Sequence, residues 1–356
     1  SSDVCSLDLV QISTNEFGDG RSLTFCIKPD MKVQFVKDVR NSGGIIERKR
    51  DQKTGINLKK LKQQVSEIKE ICHKEQFDVL HLFGYNRIAY LAGGLRFMGL
   101  KTPTVVTILG ANFPEKFSFI TKRLWRKVDA VVTSTAYVKN RLDDEGIQST
   151  QVRHGVIRDI IAEHDGSELE QKHRVLFWRD LTLQNGADVA MGAYENLASK
   201  FHDIEFDFAV RRHWDPIQGI EESAKKYSNI NVHHFPYEDG ITLPKLLLES
   251  LCVVMPIRKM SIDPQFVIAE SLAVGIPVIT TDQRSNPEFV LDGKTGFLTE
   301  LSDVEGTTNA LDTLLSDREL TAKLGKQAKE HIDLNWNWDR SEEHTSELQS
   351  QAYLVC

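Results

Sequence analysis

The chain has 356 residues, which at about 100–200 residues per domain reads as two domains. Hydrophobic residues make up 40% and charged residues 27%, and no apolar run approaches the ~20 residues of a membrane span. These values exclude collagenous, disordered and integral-membrane classes. A formal charge of −7, from 44 basic and 51 acidic residues, argues against a nucleic-acid partner.

The first 57 residues suggest strands near 8–12, 23–27 and 33–36, with no clear helix between them. From residue 58 the pattern is regular. A helix is expected over 59–73, where Leu61, Val65, Ile68, Ile71 and Cys72 recur at helical spacing. Strands follow at 77–83, 102–109, 130–134 and 151–156, with helices at 87–98, 117–127 and 136–145 between them. Residues 159–172 are polar and charged and read as a linker. Alternation then restarts. Strands are expected at 174–178, 204–210, 231–235, 251–257, 277–281 and 296–298. Helices are expected at 187–199, 217–226, 242–250, 265–273 and 287–291, and two more at 304–316 and 318–334 end the pattern. Near-continuous apolar strands alternating with helices mark parallel sheets covered on both faces. The expectation is an α/β protein of two doubly wound, Rossmann-like halves, 1–165 and 166–339.

Five cysteines are widely spaced, with no CxxC pair and no Asn-x-Ser/Thr sequon, which favours a reducing, cytoplasmic setting. No secretory leader pattern opens the chain. Residues 340–350 (RSEEHTSELQS) resemble the translation of a short-read sequencing adapter. Residues 340–356 are therefore expected to be foreign, in a gene assembled from environmental reads.

Several phosphate and hydrolase motifs fail on inspection. Gly293-Lys294-Thr295 would complete a P-loop only with Gly at 288, where Glu288 stands; a turn is the simpler reading. Gly18 and Gly20 lack the third glycine of a dinucleotide fingerprint, since position 23 is Leu23. No HExxH or GxSxG occurs, and no Asp-x-Asp that could hold a divalent metal against a diphosphate.

The informative stretch is 255–298, MPIRKMSIDPQFVIAESLAVGIPVITTDQRSNPEFVLDGKTGFL. A buried strand ends near Ile257 and a polar loop follows. Asp263 is placed to cap the next helix, and Pro264 to open it. Gly275 closes that helix in the left-handed conformation before Pro277 starts a strand. A helix N-terminus at the carboxyl end of a parallel strand is an anion site. Glu270, almost two turns inside, is within reach of the ribose of a nucleotide whose diphosphate sits on that N-terminus; a solvent-facing carboxylate is the plain alternative.

Glu270-Ser-Leu-Ala-Val-Gly-Ile-Pro-Val resembles the second half of the signature of family 4 type retaining glycosyltransferases, which have the GT-B fold. Pro287-Glu288, Asp292-Gly-Lys-Thr-Gly-Phe-Leu, Asp78-Val-Leu-His, Asp129-Ala-Val-Val-Thr-Ser and His154-Gly-Val extend the likeness over about 58–339. The resemblance implies two domains facing across a cleft, with the donor on the C-terminal one and the acceptor on the N-terminal one. It assigns the nucleotide ribose to Glu270, the diphosphate to the backbone N–H groups of Gln265 and Phe266, with Pro264 beside them on the donor side, and the leaving group to Arg179. Tyr237 and Arg211 complete the implied donor side, and Leu109, Gly110, Asn112 and His154 the acceptor side.

Three positions depart from the pattern. Asn185 stands where a Lys is usual, Ile262 where the first Glu is usual, with Asp263 adjacent as a substitute, and Leu109 where a His is usual. The expected activity is metal-independent, cofactor-free transfer of a sugar from a nucleotide-diphosphate donor to a glycan or lipid-linked acceptor, with retention of configuration. The rival readings are a GT-B-shaped protein that binds nucleotide-sugar or glycan without turnover, and a nucleotide-sugar epimerase using His154. Lys116–Lys127 interleaves aromatic residues with five cations; it reads either as a peripheral membrane contact or as a solvated basic face. Arg211-Arg212-His213-Trp214 reads either as a source of donor contacts or as a plain loop.

Overall fold

Alternating strands and helices build two α/β units, Ser1–Val152 and Arg153–Cys356. The computed structural model describes residues 9–13, 33–35, 58–75, 79–84, 87–110, 113, 116–153, 155–156, 173–210, 219–235, 237, 240–260 and 262–336. The expected strand at 23–27, the linker at 159–172, the boundary at 165/166 and the segment 340–356 lie outside these residues. So do Asn112, His154, Arg211 and Arg212.

In the first unit, β1 (Leu9–Ser13), β2 (Val33–Phe35), β3 (Val79–Gly84), β4 (Thr104–Ile108), β5 (Ala130–Thr133) and β6 (Thr150–Gln151) are all parallel, in the order β2-β1-β3-β4-β5-β6. Leu80, Leu82, Val106, Ile108 and Val131 are buried, and so are Thr107 and Val132 on the opposite faces of β4 and β5, as strands covered on both faces require. Helix Leu58–Glu75 buries Val65, Ile68 and Cys72 on one stripe. Ser118 caps helix Phe119–Trp125, its hydroxyl accepting the Thr121 N–H at 3.1 Å.

The strand expected over 151–156 ends at Gln151. Val152 N–H still donates to Thr133 O at 2.8 Å, but Val156 N–H donates to Trp336 O at 3.1 Å. The Arg153 guanidinium lies 5.5 Å from the Trp336 ring centroid and donates to Asn335 Oδ1 at 3.1 Å. These contacts tie Arg153 and Val156 to the end of the last helix, so the strand stops.

In the second unit, β7 (Arg174–Phe177), β8 (Glu205–Val210), β9 (Ile230–His234), β10 (Ser250–Met255), β11 (Val278–Thr281) and β12 (Gly296–Thr299) form a parallel sheet ordered β12-β11-β10-β7-β8-β9. The strand order reverses between β7 and β10. Every residue of β10 is buried. Tyr194, from helix Ala187–Ala198, packs with tilted rings against Phe206 and Phe208 at centroid distances of 5.1 and 4.9 Å. Asp207, wholly buried on β8, accepts from Arg174 Nη1 at 2.7 Å and pairs with His233 Nε2 at 3.0 Å. The closing helices are Val304–Ser316 and Arg318–Asn335. The second of these crosses helix Phe266–Ala273 with so little room that a Cβ at Gly325 would lie 2.2 Å from Gly275 O. The expected helix at 217–226 is shorter, Ile220–Ala224.

Candidate active site

Ligands of open α/β sheets bind outside the carboxyl ends of the strands, where the strand order reverses. In the second unit that place lies between the segment after β7 and the segment after β10. Arg179 and Gln265 meet there: the Arg179 guanidinium, through Nη1, donates to Gln265 Oε1. Gln265 is 2% exposed, and its Nε2 donates to Ile262 O at 2.7 Å. One buried amide thus joins the cation after β7 to the loop that leads into helix Phe266–Ala273. Trp178 reinforces this, donating its indole N–H to Ser271 Oγ at 3.3 Å.

The helix begins later than the sequence suggests. Gln265 has φ −82° and ψ 94°, an extended conformation, so it is the capping position and Phe266 the first helical residue. Asp263 and Pro264 are buried ahead of it; Asp263 is not the cap, and Pro264 does not open the helix. The Gln265 side chain makes no capping bond here, and the first backbone N–H groups of a helix have no partner within it, the feature by which a helix N-terminus receives an anion. Its C-terminus is as expected: Gly275 has φ +78°, and the N–H groups of Gly275 and Ile276 donate to Leu272 O and Ser271 O at 3.0 and 3.1 Å. Glu270 is half-buried and shares the outer face of the helix with Phe266 and Val267, while Ile268, Ala269 and Leu272 face the core.

Residues 256–260 are held from several directions. Gly186 has φ +75°, and a Cβ there would lie 1.9 Å from Pro256 O, so only glycine lets the two segments approach. Arg258 N–H and Lys259 N–H donate to Gln184 O at 2.9 and 3.0 Å. The Arg258 guanidinium forks onto Asp188, its Nη2 donating to Oδ2 at 2.6 Å, and Nε donates to Ser302 Oγ at 2.6 Å. Arg258 is therefore a structural clamp rather than a spare cation for a diphosphate. Thr281 Oγ1 donates to Ile257 O at 2.5 Å, and Arg284 Nη1 to Met260 O at 2.7 Å.

Asn185 lies in the single turn Leu183–Asn185 that Thr182 caps, and its Nδ2 donates to Asp180 O at 2.9 Å. Its amide is turned onto its own loop. Tyr237 packs edge-on against Phe235 beyond β9, with ring centroids 5.8 Å apart. Asp292–Gly296 is the expected turn, with Gly293 N–H donating to Gly296 O at 2.9 Å. Leu109 is buried and Gly110 follows it after β4, in the first unit. The structure thus brings Arg179, Gln265 and Phe266 together. The side-chain part of Gln265 was not legible locally, because its partner lies on a distant segment.

Residues 159–331 match the family described as Glycosyl transferases group 1.

Part of the chain is also 36% identical, over 84 residues, to a GDP-mannose-dependent alpha-(1-6)-phosphatidylinositol monomannoside mannosyltransferase of Mycolicibacterium smegmatis. That stretch covers 24% of this chain and 22% of the relative. An N-acetyl-alpha-D-glucosaminyl L-malate synthase of Bacillus anthracis is 34% identical over 89 residues, covering 25% of this chain and 23% of the relative. The chain thus spans under a quarter of the length of these curated relatives. Among solved structures, Anabaena Alr3699/HepE in complex with UDP and glucose superposes with a TM-score of 0.63 at 16% identity, covering 84% of each chain. That likeness shows the fold: two Rossmann-like domains of the GT-B type, as the sequence leads one to expect.

Proposed function

We propose that this chain is a glycosyltransferase that takes a sugar from a nucleotide-diphosphate donor held by the second unit and passes it to a glycan or lipid-linked acceptor. The observation that carries the reading is the Arg179–Gln265 contact at the point where the strand order reverses. It sets a guanidinium beside the N-terminus of helix Phe266–Ala273. A diphosphate there would meet backbone N–H groups and a charged fork able to bond two of its oxygens. As the bond from the sugar to the diphosphate breaks, negative charge grows on the leaving oxygen, and a fixed cation stabilises it without reorganisation. Glu270, on the outer face of the same helix, is assigned the ribose hydroxyls. The match over 159–331 and the sugar transferases among the relatives support the same class.

The finer parts rest on the resemblance to family 4 type enzymes. They are transfer with retention, no metal requirement and no bound cofactor, with cytoplasmic residence expected from cysteine usage. A binding protein without turnover is the second reading. It draws on Asn185, whose amide is engaged with Asp180 O where the family pattern has a free cation, and on Ile262 in place of a carboxylate. Thermal melting against UDP, GDP and ADP, with and without EDTA, tests donor binding. A ligand at a hundred times its dissociation constant stabilises by about 2.7 kcal/mol. A shift from at least one nucleotide that survives EDTA is expected. Failure of all three, or loss of the shift in EDTA, counts against the site. Release of nucleoside diphosphate from the matching nucleotide sugar then separates the enzyme from the binding protein.

A further inference from the structure

We propose that the outward face of helix Phe119–Trp125 and its following turn docks the protein on an anionic lipid bilayer. At 100° per residue, positions 119, 120, 123, 126 and 127 fall within about a third of the helix circumference. These five are the exposed ones, while Thr121 and Trp125 are buried on the other side. The outward stripe therefore reads Phe119, Ile120, Arg123, Arg126, Lys127. Phe119 is 76% exposed and Ile120 68%. Single exposed apolar side chains are ordinary, but these two are adjacent and are not alone.

The neighbouring helix, Arg87–Phe97, runs beside this one in the same direction. Tyr90 Oη and Thr121 Oγ1 are 2.9 Å apart, and a Cβ at Gly93 would lie 2.5 Å from Leu124 O. Phe97, 66% exposed, and Met98 therefore emerge near the Arg126–Lys127 end. A groove at that end is lined by Arg96, Gly99, Leu100, Lys101, Arg126 and Lys127.

The charges sort themselves. Lys122 turns to Glu145 at 2.7 Å, and Arg96 is held by Asp129 at 3.0 Å. Lys101, Arg123 and Lys127 are exposed and pair with no carboxylate among the described residues. A chain of net charge −7 thus gathers unpaired cations around apolar side chains on one face. Apolar side chains that enter the acyl boundary, ringed by cations at headgroup level, are the arrangement by which a peripheral helix lies on anionic lipid. A protein partner would be expected to offer carboxylates to match, and a solvated basic face would leave Phe119 and Ile120 without a purpose.

Co-sedimentation of the full chain with vesicles rich in phosphatidylglycerol, against phosphatidylcholine alone, tests this. The expected result is pelleting with the anionic vesicles only, weakening as salt rises. Phe119→Ser with Ile120→Ser, and separately Arg123→Glu with Lys127→Glu, should each lower partitioning by at least about tenfold while melting as the parent does. Lys323→Glu with Lys326→Glu, on exposed positions of helix Arg318–Asn335, should leave it unchanged. The proposal is overturned if the parent stays in the supernatant, if neutral vesicles pellet it equally, if both double variants pellet like the parent, or if the control pair weakens binding as much as they do.

Discussion

Replacing Arg179 with alanine tests the chemistry of the second unit and its stability together. The guanidinium lies beside the N-terminus of helix Phe266–Ala273, bonded to Gln265; Arg258 is committed to Asp188 and Ser302, and Asn185 brings no charge. Removing a preorganised electrostatic stabiliser of this kind costs about 2.7–4 kcal/mol in the transition state, or 10²–10³ in rate. The substitution also leaves Gln265 Oε1 without that donor in a residue only 2% exposed. An orphaned buried acceptor costs about 1–3 kcal/mol. At about 2–4 °C per kcal/mol for a unit of this size, a fall of several degrees in melting temperature is expected, with the fold retained. Arg179→Lys keeps the charge but loses the fork, and should fall between the two. The assay is nucleoside diphosphate release from the preferred nucleotide sugar, measured beside a melting curve. If Arg179→Ala keeps more than about a tenth of the parent's rate, the electrostatic reasoning fails.

Other perturbations probe the frame around this site. Gly186→Ala adds left-handed strain of about 1–2 kcal/mol to a collision with the Pro256 carbonyl, so a melting curve should show a loss of more than about 2 kcal/mol. Burial pushes the Asp207 carboxyl up, but the hydrogen bonds from His233 and Arg174 outweigh it and hold the group below its ordinary value. Its stabilisation is therefore present above the unfolded-state value and lost as pH falls through the folded one. The parent should lose stability in the acid range below about pH 4. Asp207→Asn should cost about 1–3 kcal/mol at neutral pH, since Arg174 keeps its pair with Glu249, and flatten that acid dependence, read from melting at a series of pH values. Glu270→Ala should weaken binding of the preferred nucleoside diphosphate by at least about tenfold with little change in melting, since the side chain sits on the outer face; calorimetry showing parental affinity would remove its ribose role.

Periodicity carried most of the fold. Near-continuous apolar strands such as the one ending in Met255, and helices closed by residues such as Gly275, specify their elements locally. Boundaries slipped where a distant partner decides. The strand expected to reach Val156 stops at Gln151 because Trp336, some 180 positions on, takes the next residues. The helix start slipped from Pro264 to Phe266 because Gln265 is held extended, with its side chain bound to Ile262 O and Arg179. The site was legible in its residue types but not in its wiring. Arg258 looks like Arg179 in the sequence, and only the packing of Asp188 and Ser302 makes one a clamp and leaves the other at the helix end.

Sugar transfer from a nucleotide-diphosphate donor liberates the nucleoside diphosphate. The most direct measurement is the release of nucleoside diphosphate from a panel of UDP-, GDP- and ADP-sugars by the purified chain in EDTA, with Arg179→Ala in parallel. Slow turnover of at least one donor by the parent is expected, falling by about 10²–10³ in the variant. No release from any donor whose nucleotide the chain binds, or equal release by parent and variant, would contradict it.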